Sequence, residues 1–451
     1  RKTPGDVVFE GNSASSRIGT LNLTNSRVAS SNAGAVLEKA QNTSIMSSSV
    51  LTIDSVQSVQ NLKLESGGKL SFEGGMLSFK SGSNNEIKSM DALSGSGTLS
   101  LDSQSALVIS NAEKDTAFTG SFNLGQGTKL TLKSDSDFEL PLTVSGDGNI
   151  GIDANGGTFS IKSADRIKGL SGTLSLSNTK FTIDEKVAGK NLSADNGTIL
   201  TISDKEKLGG VSLTDATISF TDEGTPGTIG EAGSHLSVEN LNISGRNRIV
   251  VDASQLVAAN PPSGSGKAGL AAQDVIKESR SSDLTTVLIS SVNDVSGDGS
   301  FRLVDKNNQE IAQGSKKFGI VDDSGDTVAE GTYGYGISTT KNNVGIAWQL
   351  TEVSIFNEKV LALSQRKGED NVLSAKLTGA GGFTAESGRI TLAAENDYTG
   401  PTTVKTNAEI VASNDKSLGK TSRLDNHGTV MMTDRKIEVV GPTENSEIGR
   451  A

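Results

Sequence analysis

Short runs that alternate apolar and polar residues, each opened by glycine, recur along most of this chain. Gly95-Ser-Gly-Thr-Leu-Ser-Leu101 sets the pattern. It returns as Gly120-Ser-Phe-Asn-Leu124, Gly146-Asp-Gly-Asn-Ile-Gly-Ile152, Gly172-Thr-Leu-Ser-Leu176, Gly197-Thr-Ile-Leu-Thr-Ile202 and Gly297-Asp-Gly-Ser-Phe-Arg-Leu303. The glycines at 97, 120, 148, 172 and 197 stand 23, 28, 24 and 25 residues apart, and Gly299 follows after about four more such steps. A loose period of this length marks a stacked solenoid. Alternation with period two makes the repeating unit a strand and not a helix. Each coil carries about three short strands.

The same reading extends to both sides of the clearest stretch, 91–251. Leu21/Leu23, Leu51/Ile53, Leu62/Leu64, Leu70/Phe72 and Leu77/Phe79 each place two apolar residues on one face, with turn signals at Gly67-Gly68 and Gly74-Gly75. In the coil from 146 to 168, Ile150/Ile152 and Phe159/Ile161 point inward and Ile167 begins a third face. Roughly seventeen coils about 4.8 Å apart would make a rod on the order of 80 Å long. Residues 253–286 break the pattern: Pro261-Pro262 excludes a ladder strand, and Leu270 to Ser282 has the spacing of a short amphipathic helix. This insertion is expected to cap a weak rung or to protrude as a recognition element. Beyond it, residues 301–311 predict a hairpin around Lys306-Asn307-Asn308. Gly331-Thr-Tyr-Gly-Tyr-Gly-Ile337 and Val344-Gly-Ile-Ala-Trp-Gln-Leu350 follow as its successors.

Composition changes this picture little. Glycine is abundant (52) and proline scarce (7), as many tight turns between short strands require. Aromatics make up only 4%, enough for the narrow core of a solenoid. The absence of cysteine removes thiol catalysis, cysteine zinc sites and disulfides. A net charge of −11 argues against nucleic acid and anionic lipid as partners. There is no apolar run of 18 residues and no signal-peptide pattern, so the sequence reads as a soluble piece whose leader lies elsewhere.

One stretch carries a family resemblance. Gly388-Arg-Ile-Thr-Leu-Ala-Ala-Glu-Asn-Asp-Tyr-Thr-Gly-Pro-Thr-Thr-Val404 resembles the motif G-x-L-T-L-x-x-x-N-x-Y-T-G-x-T-T-V, found near the C-termini of autotransporter passenger domains of the AIDA-type adhesin class. Ala408-Glu-Ile-Val411, Ser417-Leu-Gly419 and Asn426-His-Gly-Thr-Val430 look like its next rung. The segment from Val328 to Leu350 is similar to the hairpin that precedes it in pertactin-like passengers. The resemblance covers about 330–432; residues 1–300 match only as generic repeats. It implies a right-handed, three-sided parallel β-helix secreted by the type V route through its own C-terminal outer-membrane β-barrel, which does not follow residue 432 here. On this reading residues 1–330 form a stalk and 331–451 the C-terminal rungs, with an autochaperone-type element. The resemblance also implies a virulence-associated surface protein anchored at the outer membrane, active in adhesion or biofilm formation. Its partners would be a host glycosaminoglycan or a matrix protein such as fibronectin. The near-identical 19-residue repeats of self-associating members are absent, which favours host binding and a monomer.

Candidate chemistry is sparse. A secreted serine protease would need Gly-Asp-Ser-Gly with histidine and aspartate partners, and Asp322-Asp-Ser-Gly-Asp326 has the wrong order around Ser324. Two histidines, His235 and His427, make poor metal ligands, so no metal or cofactor is expected. A polysaccharide-degrading β-helix remains the alternative, with Asp102, Asp153 and Asp184 recurring after strands. Binding is the favoured reading. One outward column is expected to hold Thr98, Ser121, Asn149, Thr173 and Ser300, and its neighbour Ser100, Asn123, Gly151, Ser175 and Arg302. Around the insertion stand Arg246, Arg248, Lys267, Lys277 and Arg280, balanced by acidic neighbours, so a bound sulfated glycan is expected to be held mainly by polar hydrogen bonds and to respond mildly to salt.

Overall fold

The computed structural model describes residues 18–221, 235–251, 269–280, 284–311, 315–367, 371–432 and 442–445. Strand accounts for 56% of it and helix for 6%, which makes the chain all-β, a β-solenoid of about 17 turns. It divides into two compact units, one comprising residues 1–201 and 207–211, the other 202–206 and 212–451.

The first unit is a parallel solenoid with three faces. One face runs through Ile18–Leu23, Ala40–Ile45, Asn61–Leu64, Asn84–Ile87, Ala106–Ile109, Lys129–Lys133, Asn149–Asp153, Thr173–Ser177 and Asn191–Asp195, each paired in parallel with the next. A second runs through Arg27–Ala29, Val50–Ile53, Lys69–Phe79, Leu93–Leu101, Ser121–Leu124 and Thr143–Gly146. The third includes Phe138–Glu139, Thr158–Ser160 and Lys180–Ile183. Alternate residues point inward as the pattern predicts: Leu51, Ile53, Leu62, Leu64, Leu70, Phe72, Leu77, Phe79, Ile150, Ile152, Phe159, Ile161 and Ile167 are all buried. Phe138, Phe159 and Phe181 stack up the interior with centroids 5.1 and 5.6 Å apart.

Glycine marks the corners because two backbones meet there. A Cβ on Gly120 would lie 2.1 Å from the carbonyl oxygen of Gly97, and one on Gly97 2.5 Å from that of Gly75. The tight corners that follow the strands of the first face use asparagine in the left-handed region instead, at Asn155, Asn178 and Asn196 with φ of 48, 47 and 54°.

Two features depart from the expected rungs. Residues Ser30–Lys39 form an α-helix that replaces strand at one corner. Its start is held from the following turn, where Asp54 accepts from the Ser31 amide at 2.8 Å, the Ser30 hydroxyl at 2.8 Å and the Ser31 hydroxyl at 2.6 Å. The helix expected from Leu270 to Ser282 is also shorter. It comprises a 3-10 turn at Ala272–Asp274 and one α-turn at Val275–Glu278; most of the rest of the insertion, 252–268 with Lys267 and the proline pair, lies outside the described residues.

The second unit mixes parallel and antiparallel pairing. Thr327–Thr339 and Asn343–Ile355, 13 residues each, form a long antiparallel hairpin, flanked by Leu284–Ser291 on one edge and Lys316–Val321 on the other. The hairpin expected at 301–311 is reduced to a tight turn with a single antiparallel bridge between Val304 and Glu310. Parallel rungs resume with Gly382–Leu392, Ala408–Ala412 and Thr429–Met432. No helix among the described residues is long and apolar enough to cross a membrane.

Candidate functional site

The outward polar columns exist, with a membership that differs from the one expected. On the second face, Ser58, Ser78, Ser100, Asn123 and Ser145 follow one another in register over five turns. Beside them run Val56, Met76, Thr98, Ser121 and Thr143. Asn149 and Thr173 belong to the first face, where Lys129, Asn149 and the strands of Thr173 and Asn191 succeed one another. Thr131, Gly151, Ser175 and Ser193 form the neighbouring column there. Ser300 and Arg302 lie in the second unit on Ser300–Val304, opposite Arg246 and Arg248.

Each of the two expected columns is therefore corrected to three sets on different strands: Thr98/Ser121 with Ser100/Asn123, Asn149/Thr173 with Gly151/Ser175, and Ser300 with Arg302. The cause is the glycine motif, which marks corners generally. Around Gly97 and Gly120 it leads onto the second face, whereas Gly148 leads from Thr143–Gly146 onto the first. Gly148 and Gly172 do stack on each other, a Cβ on Gly172 falling 1.9 Å from the Gly148 carbonyl oxygen. The 28-residue step is thus one coil plus a change of corner. Asn149 also accepts a hydrogen bond from the Thr173 amide at 2.8 Å, so part of its amide is used within the ladder.

The second unit contains a concave site, a cleft of about 750 Å³. Its walls come from Arg246–Val250, Ser300–Val304, the long hairpin and the rungs near 374–376 and 393–395. This cleft gathers Arg246, Arg280 and Arg302 from the expected binding set. Arg246 reaches the Glu395 carboxylate at 2.9 Å and Asp415 at 3.2 Å. Arg302 pairs with Glu310 and stands 4.0 Å from Glu395, which also meets Lys416 at 3.1 Å. Burial pushes the Glu395 carboxyl up, but Lys416, Arg246 and Arg302 outweigh it and hold the group below the usual carboxylate range. Arg280 donates to the Thr339 carbonyl oxygen at 2.6 Å, and Lys277 is exposed on its one-turn helix.

Glu395, Glu310 and Tyr335 are the cleft residues that sequence reasoning missed. The signal for Glu395 was its place in the C-terminal motif, whose neighbouring residues carry structure. Asn396 accepts from the Leu377 amide at 2.8 Å and donates to the Ser417 carbonyl at 2.6 Å, both buried. Tyr398, fully buried, joins Thr402 at 2.6 Å, and Thr402 in turn meets Thr421 at 2.9 Å. Burial pushes the Tyr398 phenol up, beyond ordinary titration.

The residues weighed for catalysis are scattered. Ser324 sits in an exposed turn, its amide bonded to Asp322 at 2.9 Å. His235 contacts the Ser290 hydroxyl at 2.8 Å and the Val287 carbonyl at 3.3 Å. Its pKa is lowered, chiefly by burial and further by Lys205, although the Val287 carbonyl opposes the shift. Among the described residues no group of three His, Asp or Glu side chains is placed to hold a metal ion.

Comparison with known proteins adds one relative. An Escherichia coli K12 protein, described as uncharacterized protein YuaQ, is 24% identical over 330 residues. The match covers 70% of this chain but spans only 23% of that protein's length. No family model and no solved structure matches the chain.

Proposed function

We propose that the chain is the adhesive β-helix of an autotransporter-type surface protein, holding a host glycosaminoglycan or a matrix protein such as fibronectin on its outward polar columns. The observation that carries this reading is the column Ser58, Ser78, Ser100, Asn123 and Ser145, set at the constant spacing of parallel strands, in which Asn123 is exposed, Ser58, Ser78 and Ser145 are half-buried and Ser100 alone is buried. A straight, periodic row of donors and acceptors suits an extended polymer better than a compact metabolite. Val56 and Met76, exposed by 73 and 37%, give the adjoining column an apolar stretch for sugar rings or peptide side chains. The structural use of Asn396, Tyr398 and Thr402 gives the C-terminal motif a physical reason to persist in a rung of this kind. On this reading the protein is displayed at the cell surface and anchored through its own outer-membrane β-barrel.

An array of glycosaminoglycans and matrix proteins probed with the chain tests the proposal. Retention that Ser58→Asp with Asn123→Asp weakens by about tenfold, roughly 1.4 kcal/mol, is the expected outcome. Binding should fall only mildly with salt, since hydrogen bonds and not counterion release hold the polymer. Silence on every spot would sink the reading. New unsaturated or reducing ends in the glycosaminoglycan would replace it with a polysaccharide-degrading enzyme, and association in sedimentation at rising concentration with a self-associating stalk.

A further inference from the structure

The cleft of the second unit differs chemically from the outward columns. Five basic and four acidic side chains line it, and its two central arginines are already met by carboxylates: Arg246 by Glu395, and Arg302 by Glu310 with Glu395 nearby. These charges cancel locally and project little positive field. A sulfate or phosphate entering here would have to push aside Glu395 or Glu310, both already paired. A neutral polyol meets no such conflict, because one hydroxyl accepts from a guanidinium while its neighbour donates to the carboxylate. A carboxylate oxygen has lone pairs beyond those its cations use, so Glu395 can accept further. Phe301, half-buried, lines the same cleft with the more deeply buried Tyr335 and Ile337 behind it, and offers apolar surface to the C–H face of a pyranose. About 750 Å³ falls within the range of small-ligand clefts.

We infer that this cleft is a binding site for a short neutral oligosaccharide, with Arg302 and Glu395 holding adjacent hydroxyls against the Tyr335 side. The site shares no residue with the column from Ser58 to Ser145 and stands or falls separately from it.

The test is an array of neutral hexose and N-acetylhexosamine oligosaccharides beside heparin-type sulfated ones, followed by calorimetry on any hit. A neutral oligosaccharide is expected to bind with affinity that changes less than about twofold between low and high salt. Arg302→Gln should weaken it at least about tenfold, roughly 1.4 kcal/mol, and Glu395→Gln similarly. Arg302 is 39% exposed at its side chain, so its replacement leaves folding intact even where Glu395→Gln perturbs it, and thermal melting verifies this. No neutral oligosaccharide bound, or binding indifferent to Arg302→Gln, overturns the inference. Retention of sulfated chains alone overturns it too while leaving the polar-column reading standing.

Discussion

The first unit and the hairpin block of the second bury apolar surface by contrasting means. In the first unit each strand meets the same face of the coils before and after it, so a residue's contacts are set by its place in the turn. Phe159 shows this, touching Phe138 on one side and Phe181 on the other. In the second unit, Thr327–Thr339 pairs with Asn343–Ile355 through eleven matched positions, and Tyr335 packs edge-on against Trp348 at 5.2 Å. Its polar groups are tied across large gaps in sequence, Arg246 to Glu395 and Ser300 to the Ala393 carbonyl at 2.8 Å. A repeat spreads its stability evenly along the stack, whereas the hairpin block concentrates it in a few residues that have no equivalents elsewhere.

The largest expected effect breaks the even distribution. Phe159→Ala opens a cavity in the middle of the aromatic stack and should cost about 3–5 kcal/mol. Because coils contact only their neighbours, amide exchange should accelerate mainly in the coils that hold Phe138 and Phe181. Uniform loss of protection over the whole first unit would refute nearest-neighbour behaviour. A smaller effect probes the parallel rungs of the second unit, which follow the hairpin block. Asn396→Ala leaves the buried Leu377 amide and Ser417 carbonyl without their partner, and should lower the stability of the second unit by about 1–3 kcal/mol in denaturant titration. A change within experimental error would mean that the motif asparagine has another role.

Strands and inward residues were legible because alternation and burial are the same fact seen twice; Ile150, Ile152 and Phe159 could be placed inside from sequence alone. The face of each strand was not legible. Gly97 and Gly148 open identical-looking runs, yet only backbone crowding at a corner is encoded, and every corner of a coil is crowded. The helix Ser30–Lys39 was hidden for a related reason, since the carboxylate that holds its start, Asp54, belongs to the next turn. The cleft escaped because Arg246, Arg302 and Glu395 meet only through the fold. Their charges read locally as a balanced, unremarkable surface.

Acid sharpens the comparison with the smallest expected change. Asp54, in the first unit, has its carboxyl lowered to about 2, first by the Ser31 hydroxyl and then by the Ser31 amide and Ser30 hydroxyl against an opposing burial effect. A carboxyl that is more acidic when folded contributes stability that is complete above the ordinary value of 3.8 and lost as pH falls through about 2. His235, in the second unit, also has a lowered pKa, so the folded chain resists protonation that the unfolded chain accepts. Its contribution is complete above the ordinary 6.5 and declines as pH falls from there through the lower folded value. The strands around His235–Val238 and Leu284–Ser291 should therefore loosen in mild acid, while the turn around Ser30–Lys39 holds until strong acid. Amide exchange followed from pH 7.5 down to about 1.5 reads both windows. His235→Gln should remove the first and Asp54→Asn the second. Loosening of the two regions at the same pH, unchanged by either substitution, would show that these local groups do not set the acid response.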